Sequence, residues 1–368
     1  MAPYEETAST TTFACTSCGA DLKYKAGTQH LVCEYCGAEN EIPQLEANIE
    51  ELDFAAYLSN KSDNAEKITE HFVKCENCGA SSTLAPNITA SSCPYCDTPL
   101  IVENAKDESV IQPKSLLPFK LSANEAKKEF NTWVKKLWFA PNDLKKAVLN
   151  FDHFKGIYIP YWTFDTDTSS NYIGQRGEHY YVTESYTTTE NGKTVTKTRQ
   201  VQKTRWYPAS GRVHKFFDDI LTVATKSLPT KYMYKLEPWD LENLVPFNKS
   251  YLSGFITEKY QVELDEGFEI AKSIAEQEIQ LLVRRDIGGD EQRIISLHTS
   301  YNDITFKHLL LPVFVSAYNF KGKLFQFLVN GRTGEVQGQR PYSWLKISLT
   351  VVTALILIAA IVYFANRG

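Results

Sequence analysis

All eight cysteines of this 368-residue chain fall before residue 97, in a pattern that leaves few ways to fold its N-terminal third. Cys15-x2-Cys18 is followed by Cys33-x2-Cys36, and Cys75-x2-Cys78 by Cys93-x2-Cys96. Adding 60 to any cysteine of the first quartet gives its counterpart in the second, and Gly19/Gly79, Ala20/Ala80 and Tyr35/Tyr95 keep the same offset. The region is therefore an internal repeat. Two cysteines three positions apart on a tight turn aim both sulfurs at one point, and a glycine after the second supplies a left-handed backbone. Two such knuckles joined by a short hairpin complete a tetrahedral S4 site that suits Zn²⁺. The 14-residue gap within each quartet is one short of the usual zinc spacing. Sharing sulfurs between quartets would close longer loops, so local pairing is expected. Site one is Cys15, Cys18, Cys33 and Cys36; site two is Cys75, Cys78, Cys93 and Cys96.

Other chemistries share these residues. Cys93-Pro94-Tyr95-Cys96 matches a glutaredoxin-type dithiol motif. That chemistry needs a strand–motif–helix unit, whereas here the motif aligns with Cys33-Glu34-Tyr35-Cys36 as the second half of a ribbon. Rubredoxin-like iron uses the same ligand set. Structural zinc is the expected reading, and an all-cysteine site has no open position for water or substrate. Charge bears on the partner. Residues 1–110 carry 6 Lys+Arg against 18 Asp+Glu, and the rest of the chain 33 against 26. The first hairpin offers only Lys23 and Lys25, the second no basic residue between Cys78 and Cys93. Phosphate contact at the ribbons would be opposed by that balance. A protein-docking or structural role is expected instead.

The far end of the chain is apolar. Residues 347–364 contain no charge, Pro or Gly. Starting the run at Trp344 gives 21 residues, roughly 31 Å of helix, about one hydrocarbon thickness. Trp344 and Tyr363 stand where interfacial aromatics belong, with Lys346 and Arg367 closing the run. Arg332, Arg340 and Lys346 precede the run and only Arg367 follows it. The positive-inside rule then predicts a single-pass cell-membrane helix over 344–364, with the N-terminal bulk cytoplasmic and the C-terminus outside. Thiolate sites last best in a reducing compartment, which agrees. Residues 1–12 lack the charged and apolar regions of a targeting signal.

Between these ends the pattern divides into a first ribbon (11–41), an acidic linker (42–70), a second ribbon (71–104) and a body (110–343). In the linker, Leu45, Ile49, Leu52 and Ala56 fall on one helical face, with Glu46, Glu50, Glu51 and Asp53 opposite. The body opens with a capping box at Ser122 and Glu125, predicting a helix to about residue 139 and a short one over 141–149. Strands are expected at 156–164, 172–186 and 194–206, the last two joined by a turn at Glu190-Asn191-Gly192-Lys193 into a polar, projecting or edge hairpin. A short element at 218–227, a helix at 267–283, and strands at 294–297, 303–307, 309–318 and 323–330 complete it. Asp165-Thr166-Asp167 reads as a turn, and Arg284-Arg285-Asp286 before Gly288-Gly289 as a helix end. Segments 157–162 and 310–315 resemble each other weakly, as a diverged duplication would. The expected class is α+β: two N-terminal four-cysteine zinc ribbons, a mixed helix and antiparallel-sheet body, and one C-terminal transmembrane helix. Neither a Gly-rich phosphate loop, GxSxG nor HExxH occurs, and the seven histidines form no ligand-spaced pair. No enzyme activity is expected.

The double ribbons, GIYIPYWTFDTDTSSNYIGQRGEHYY (156–181), LLLPVFVSAY (309–318) and FLVNGRTGEVQGQRPYSWLK (327–346) together resemble bacterial membrane-anchored tandem (TFIIB-type) zinc-ribbon proteins. The resemblance covers nearly the whole chain and is most specific in VNGRTGEVQGQRPYS. It implies a non-enzymatic adaptor that recruits cytosolic phage-shock-protein-A-type partners to the membrane in envelope stress. The alternative is a membrane-tethered protein that binds nucleic acid through its ribbons.

Overall fold

The computed structural model describes residues 13–43, 49–59, 67–83, 90–101, 105–143, 154–190, 192–320 and 323–365. Three strands of unusual length organise it: Lys155–Glu190 (36 residues), Lys193–Val223 (31) and Glu291–Phe320 (30). We call them the first, second and third long strands. The first lies between the other two and pairs antiparallel with both. At about 3.3 Å per residue it would span roughly 120 Å if straight. The sheet contains nine strands among the described residues. The long pairs are antiparallel, while Ser115–Leu116 runs parallel to the third long strand and Ile256–Thr257 parallel to the first.

The expected strands 156–164 and 172–186 are one strand, and so are the three expected between 294 and 318. The polar run 165–170 is not a turn. Its side chains are held by the neighbouring strands: Thr166 Oγ1 donates to Asn302 O (2.9 Å), Thr168 Oγ1 to Lys215 O (2.7 Å), and Ser170 pairs with Thr299 (2.8 Å). Bulges at Phe164/Thr166 and Asp165/Asp167 absorb the change of register. The similar segments 157–162 and 310–315 lie side by side, with Ile157 opposite Val313 and Pro160 opposite Leu310.

Helix Leu264–Ile287 lies across this sheet. Phe268, Ala271, Ala275, Ile279, Val283 and Ile287 recur every three or four residues and are buried against Trp162, Phe164, Tyr172, Phe217 and Ile220. A Cβ on Gly267 would stand 2.8 Å from Trp162 Cδ1, so the helix start approaches the sheet as only glycine permits. Gly288, with φ 67, ends the helix. Helix Ala123–Lys136 carries the expected capping box: Ser122 Oγ accepts from Glu125 N and Glu125 Oε2 from Ser122 N. Its Phe130 ring packs 4.2 Å from that of Phe327.

The acidic linker differs from its reading as one helix. Leu52–Asp53 is a strand paired with Thr305–Phe306, and helix occupies only Phe54–Ser59. Asp53 Oδ1 accepts from Ala56 N, so this residue starts the helix instead of continuing it. Residues 44–48 and 60–66, and most of the expected helix 141–149, lie outside the described residues. Helix Trp344–Ala365 is long and apolar enough to cross a membrane: its mean hydropathy is 2.6 and none of it is buried.

Candidate metal centres

Each cysteine pair sits on the same backbone turn. Cys15 N donates to Ala20 O (2.8 Å) and Gly19 N to Cys15 O (2.9 Å). The same two bonds, 2.8–2.9 Å long, recur at Cys33 with Ala38 and Gly37, Cys75 with Ala80 and Gly79, and Cys93 with Thr98 and Asp97. The residue after the second cysteine of each turn needs positive φ: 75° at Gly19, 75° at Gly37, 78° at Gly79, and 59° at Asp97, a residue type that tolerates this region.

These turns bring each quartet together. Every Sγ in Cys15, Cys18, Cys33 and Cys36 lies within 4.8 Å of the others, and so do those of Cys75, Cys78, Cys93 and Cys96. The short edges match across the repeat: 3.6 Å for Cys15–Cys36 and Cys75–Cys96, 3.5 Å for Cys18–Cys33 and Cys78–Cys93. Sulfurs on a tetrahedron about a metal at 2.3 Å would stand about 3.8 Å apart, so the cage fits a metal ion of that size. Cys15, Cys33, Cys75 and Cys93 are buried, while Cys18, Cys36 and Cys78 face solvent and Cys96 lies between.

The donor set suits a cation. The Ser17 amide, 3.4 Å from Cys15 Sγ, holds that thiol down to about 6. The bond between Cys78 and Cys93 pulls Cys78 down to about 5 and pushes Cys93 up. Four crowded thiols cannot all ionise alone, and a divalent ion removes that repulsion.

The two modules dock differently. In the first, Tyr24 N donates to Ser253 O (3.0 Å), and its hydroxyl to Thr28 O (2.9 Å) and Phe119 O (3.2 Å). The repeat position within each second cysteine pair has diverged in role: Tyr35 is 86% exposed, whereas Tyr95 is fully buried. Tyr95 donates to Glu258 Oε2 at 2.7 Å. Glu258 also accepts from Thr225 Oγ1 (2.7 Å), Ser227 Oγ and Gln261 Nε2 (3.2 Å), and burial pushes it up to about 7. Nothing in the sequence marks this socket, because Glu258 lies 163 residues from Tyr95. Between the modules and the body opens a cavity of about 470 Å³. Buried His308 lines it, donating from Nδ1 to Ile111 O (2.9 Å), and burial lowers it to about 4.

A buried charge cluster also has no signature in the sequence. Lys307 Nζ stands 2.8 Å from Asp219, 3.1 Å from Glu51 and 3.9 Å from Asp165. It ties the linker strand to the sheet, since Thr305 Oγ1 also donates to Glu51 (2.7 Å). The two basic residues of the first hairpin are both engaged, Lys23 with Glu34 (2.5 Å) and Lys25 with Glu39 (2.7 Å).

At the opposite end of the sheet from the cysteine modules, the third long strand stops at Glu291, opposite Gly177. The first and second long strands continue as a two-stranded hairpin over 178–190 and 193–205. Its arms have no third strand among the described residues. One face carries Arg205 over Tyr180 (5.0 Å) and Arg199 over Tyr186 (5.6 Å).

The chain is similar to "Uncharacterized protein YdjG" of Bacillus subtilis (strain 168), 27% identical over 341 residues that make up 91% of this chain and 92% of that protein. No family model and no solved structure matches it.

Proposed function

We propose that this chain is a non-enzymatic adaptor, held in the cell membrane by helix Trp344–Ala365, that docks cytosolic protein partners. The observation that carries this reading is the hairpin 178–205. Beyond His179, whose amide donates to Asp290 Oδ2, its strands have no further strand on either edge among the described residues, and its Arg and Tyr side chains suit an acidic protein partner. The two cysteine cages are zinc ribbons, structural in role, that clamp the chain's N-terminal third onto the body. Basic residues before the helix support a cytoplasmic body with the C-terminus outside. The resemblance supports phage-shock-protein-A-type proteins as the partners, recruited in envelope stress. The ion pairs of Lys23 and Lys25 support protein docking over phosphate contact at the ribbons.

Crosslinking of the full-length chain in membranes, with and without envelope stress, tests the reading. A captured cytosolic protein that is lost when residues 179–204 are replaced by a two-residue turn is expected. Capture of nucleic acid in its place, released steeply by salt, would overturn it.

A further inference from the structure

The apolar helix does not leave the body on a free tether. Ser343 N donates to Phe139 O at 2.7 Å, one residue before the helix begins. In its first turn Lys346 Nζ reaches back to Trp138 O (3.2 Å), Ala140 O (2.8 Å) and Asn142 Oδ1 (2.8 Å). These bonds fix residues 138–140, the turn that follows helix Ala123–Lys136, beside the entry of the apolar helix. The turn is rooted in the body through Leu137 (5% exposed) and Ala140 (2%). Between those roots it turns two aromatics outward: Trp138 is 72% exposed and Phe139 38%. Trp344, at the start of the helix, is 81% exposed. Lys135 and Lys136 close the preceding helix next to them.

Water is a poor setting for large aromatics set side by side. A bilayer surface is a good one. Tryptophan concentrates at the level of the headgroups, and lysines beside it attract anionic lipid. The hydrogen bonds to Ser343 and Lys346 set Trp138 and Phe139 at the depth where the helix meets that surface. We propose that this turn is a second membrane contact, an aromatic wedge seated in an anionic lipid interface, which holds the body down on the bilayer. The proposal rests on the reading that Trp344–Ala365 crosses a membrane. It adds that the body is docked on the lipid and not merely tethered to it.

Tryptophan quenching separates the two. Full-length protein is reconstituted into vesicles of phosphatidylcholine and phosphatidylglycerol, with or without brominated acyl chains, as wild type, Trp138→Phe and Trp344→Phe. Trp138 is exposed and only its backbone bonds to Lys346, so its replacement leaves the fold in place. Each substitution should remove about half of the quenchable emission, as expected for two interfacial tryptophans. Loss of quenching in Trp344→Phe with none in Trp138→Phe would overturn the wedge and leave the membrane helix standing. That outcome would also follow if another protein or a second copy covered the turn. No quenching in wild type would overturn the membrane helix and the wedge with it.

Discussion

Glu258 shows how much a single side chain can carry in this protein. It is buried, raised to about 7, and joins the second cysteine module to the body through Tyr95. Between pH 4.5 and about 7 the folded protein keeps a proton that the unfolded chain has released, so its contribution to stability falls as pH rises through that window. Glu258→Gln has no such proton. The unfolding free energy of wild type in urea, taken relative to that variant, should therefore fall across the window by on the order of 3 kcal/mol. Parallel curves would refute it. Lys307 acts through charge instead: its side chain is 9% exposed and faces three carboxylates. Lys307→Met leaves them unpaired and should cost about 3–5 kcal/mol, read from chemical unfolding. Glu51→Gln, which removes one of several partners, should cost less. Both groups are invisible in the sequence, where Asp165 reads as part of a turn and Glu258 as one acidic residue among 44 Asp+Glu. Only their neighbours across the fold make them distinctive.

Among the elements, the helices are the most legible. Ser122 and Glu125 state the start of Ala123–Lys136, and apolar spacing with Gly288 states the run and stop of Leu264–Ile287. Gly267 is informative only in three dimensions, where it faces Trp162. Gly267→Val should destabilise by about 1–3 kcal/mol through overpacking, measured by thermal unfolding. The strands are legible in kind but not in length. Polar interruptions such as 165–170 ordinarily end a strand, and here they are satisfied from both sides by neighbouring strands. The hairpin beyond Gly177 is expected from its turn, and its exposure makes a contrasting prediction. Replacing residues 179–204 by a two-residue turn should leave the melting temperature nearly unchanged, since the side chains of 179–189 and 192–204 are exposed or half-buried. A large loss would mean that the hairpin is part of the core. The linker departs from its helical reading because Leu52 fits a helical stripe and a strand equally well; pairing with Phe306 decides for the strand.

On the scale of the whole molecule, the cysteine cages and the fold are coupled. Both cages sit on modules whose tyrosines reach into the body, Tyr24 beside Phe119 and Tyr95 on Glu258. Elemental analysis of the purified full-length chain should find two zinc ions, and Cys33→Ser should leave one; one ion or none in the wild type would break the assignment. Stripping the metal with a chelator should lower the unfolding temperature of the body as well as the modules. An unchanged body transition would show that the modules are merely appended. The charge split fits the same layout. The acidic third folds back along the basic body, with Lys249 to Glu70 at 2.8 Å and Lys307 to Glu51 at 3.1 Å, so part of each surplus is neutralised inside the molecule.

The sequence by itself determined what local chemistry dictates: two cysteine cages with their ligands, three glycine-marked positive-φ turns, the capped helix and an apolar run of membrane length. Each depends on residues within about one supersecondary unit of one another, so spacing alone carries the information. Only the tertiary structure decided how far the strands run, where the modules dock, which buried acid meets which donor, and that Trp138 stands beside Lys346. Those depend on residues far apart in the chain, brought together by burial in a shared sheet and by hydrogen bonds that no local pattern specifies.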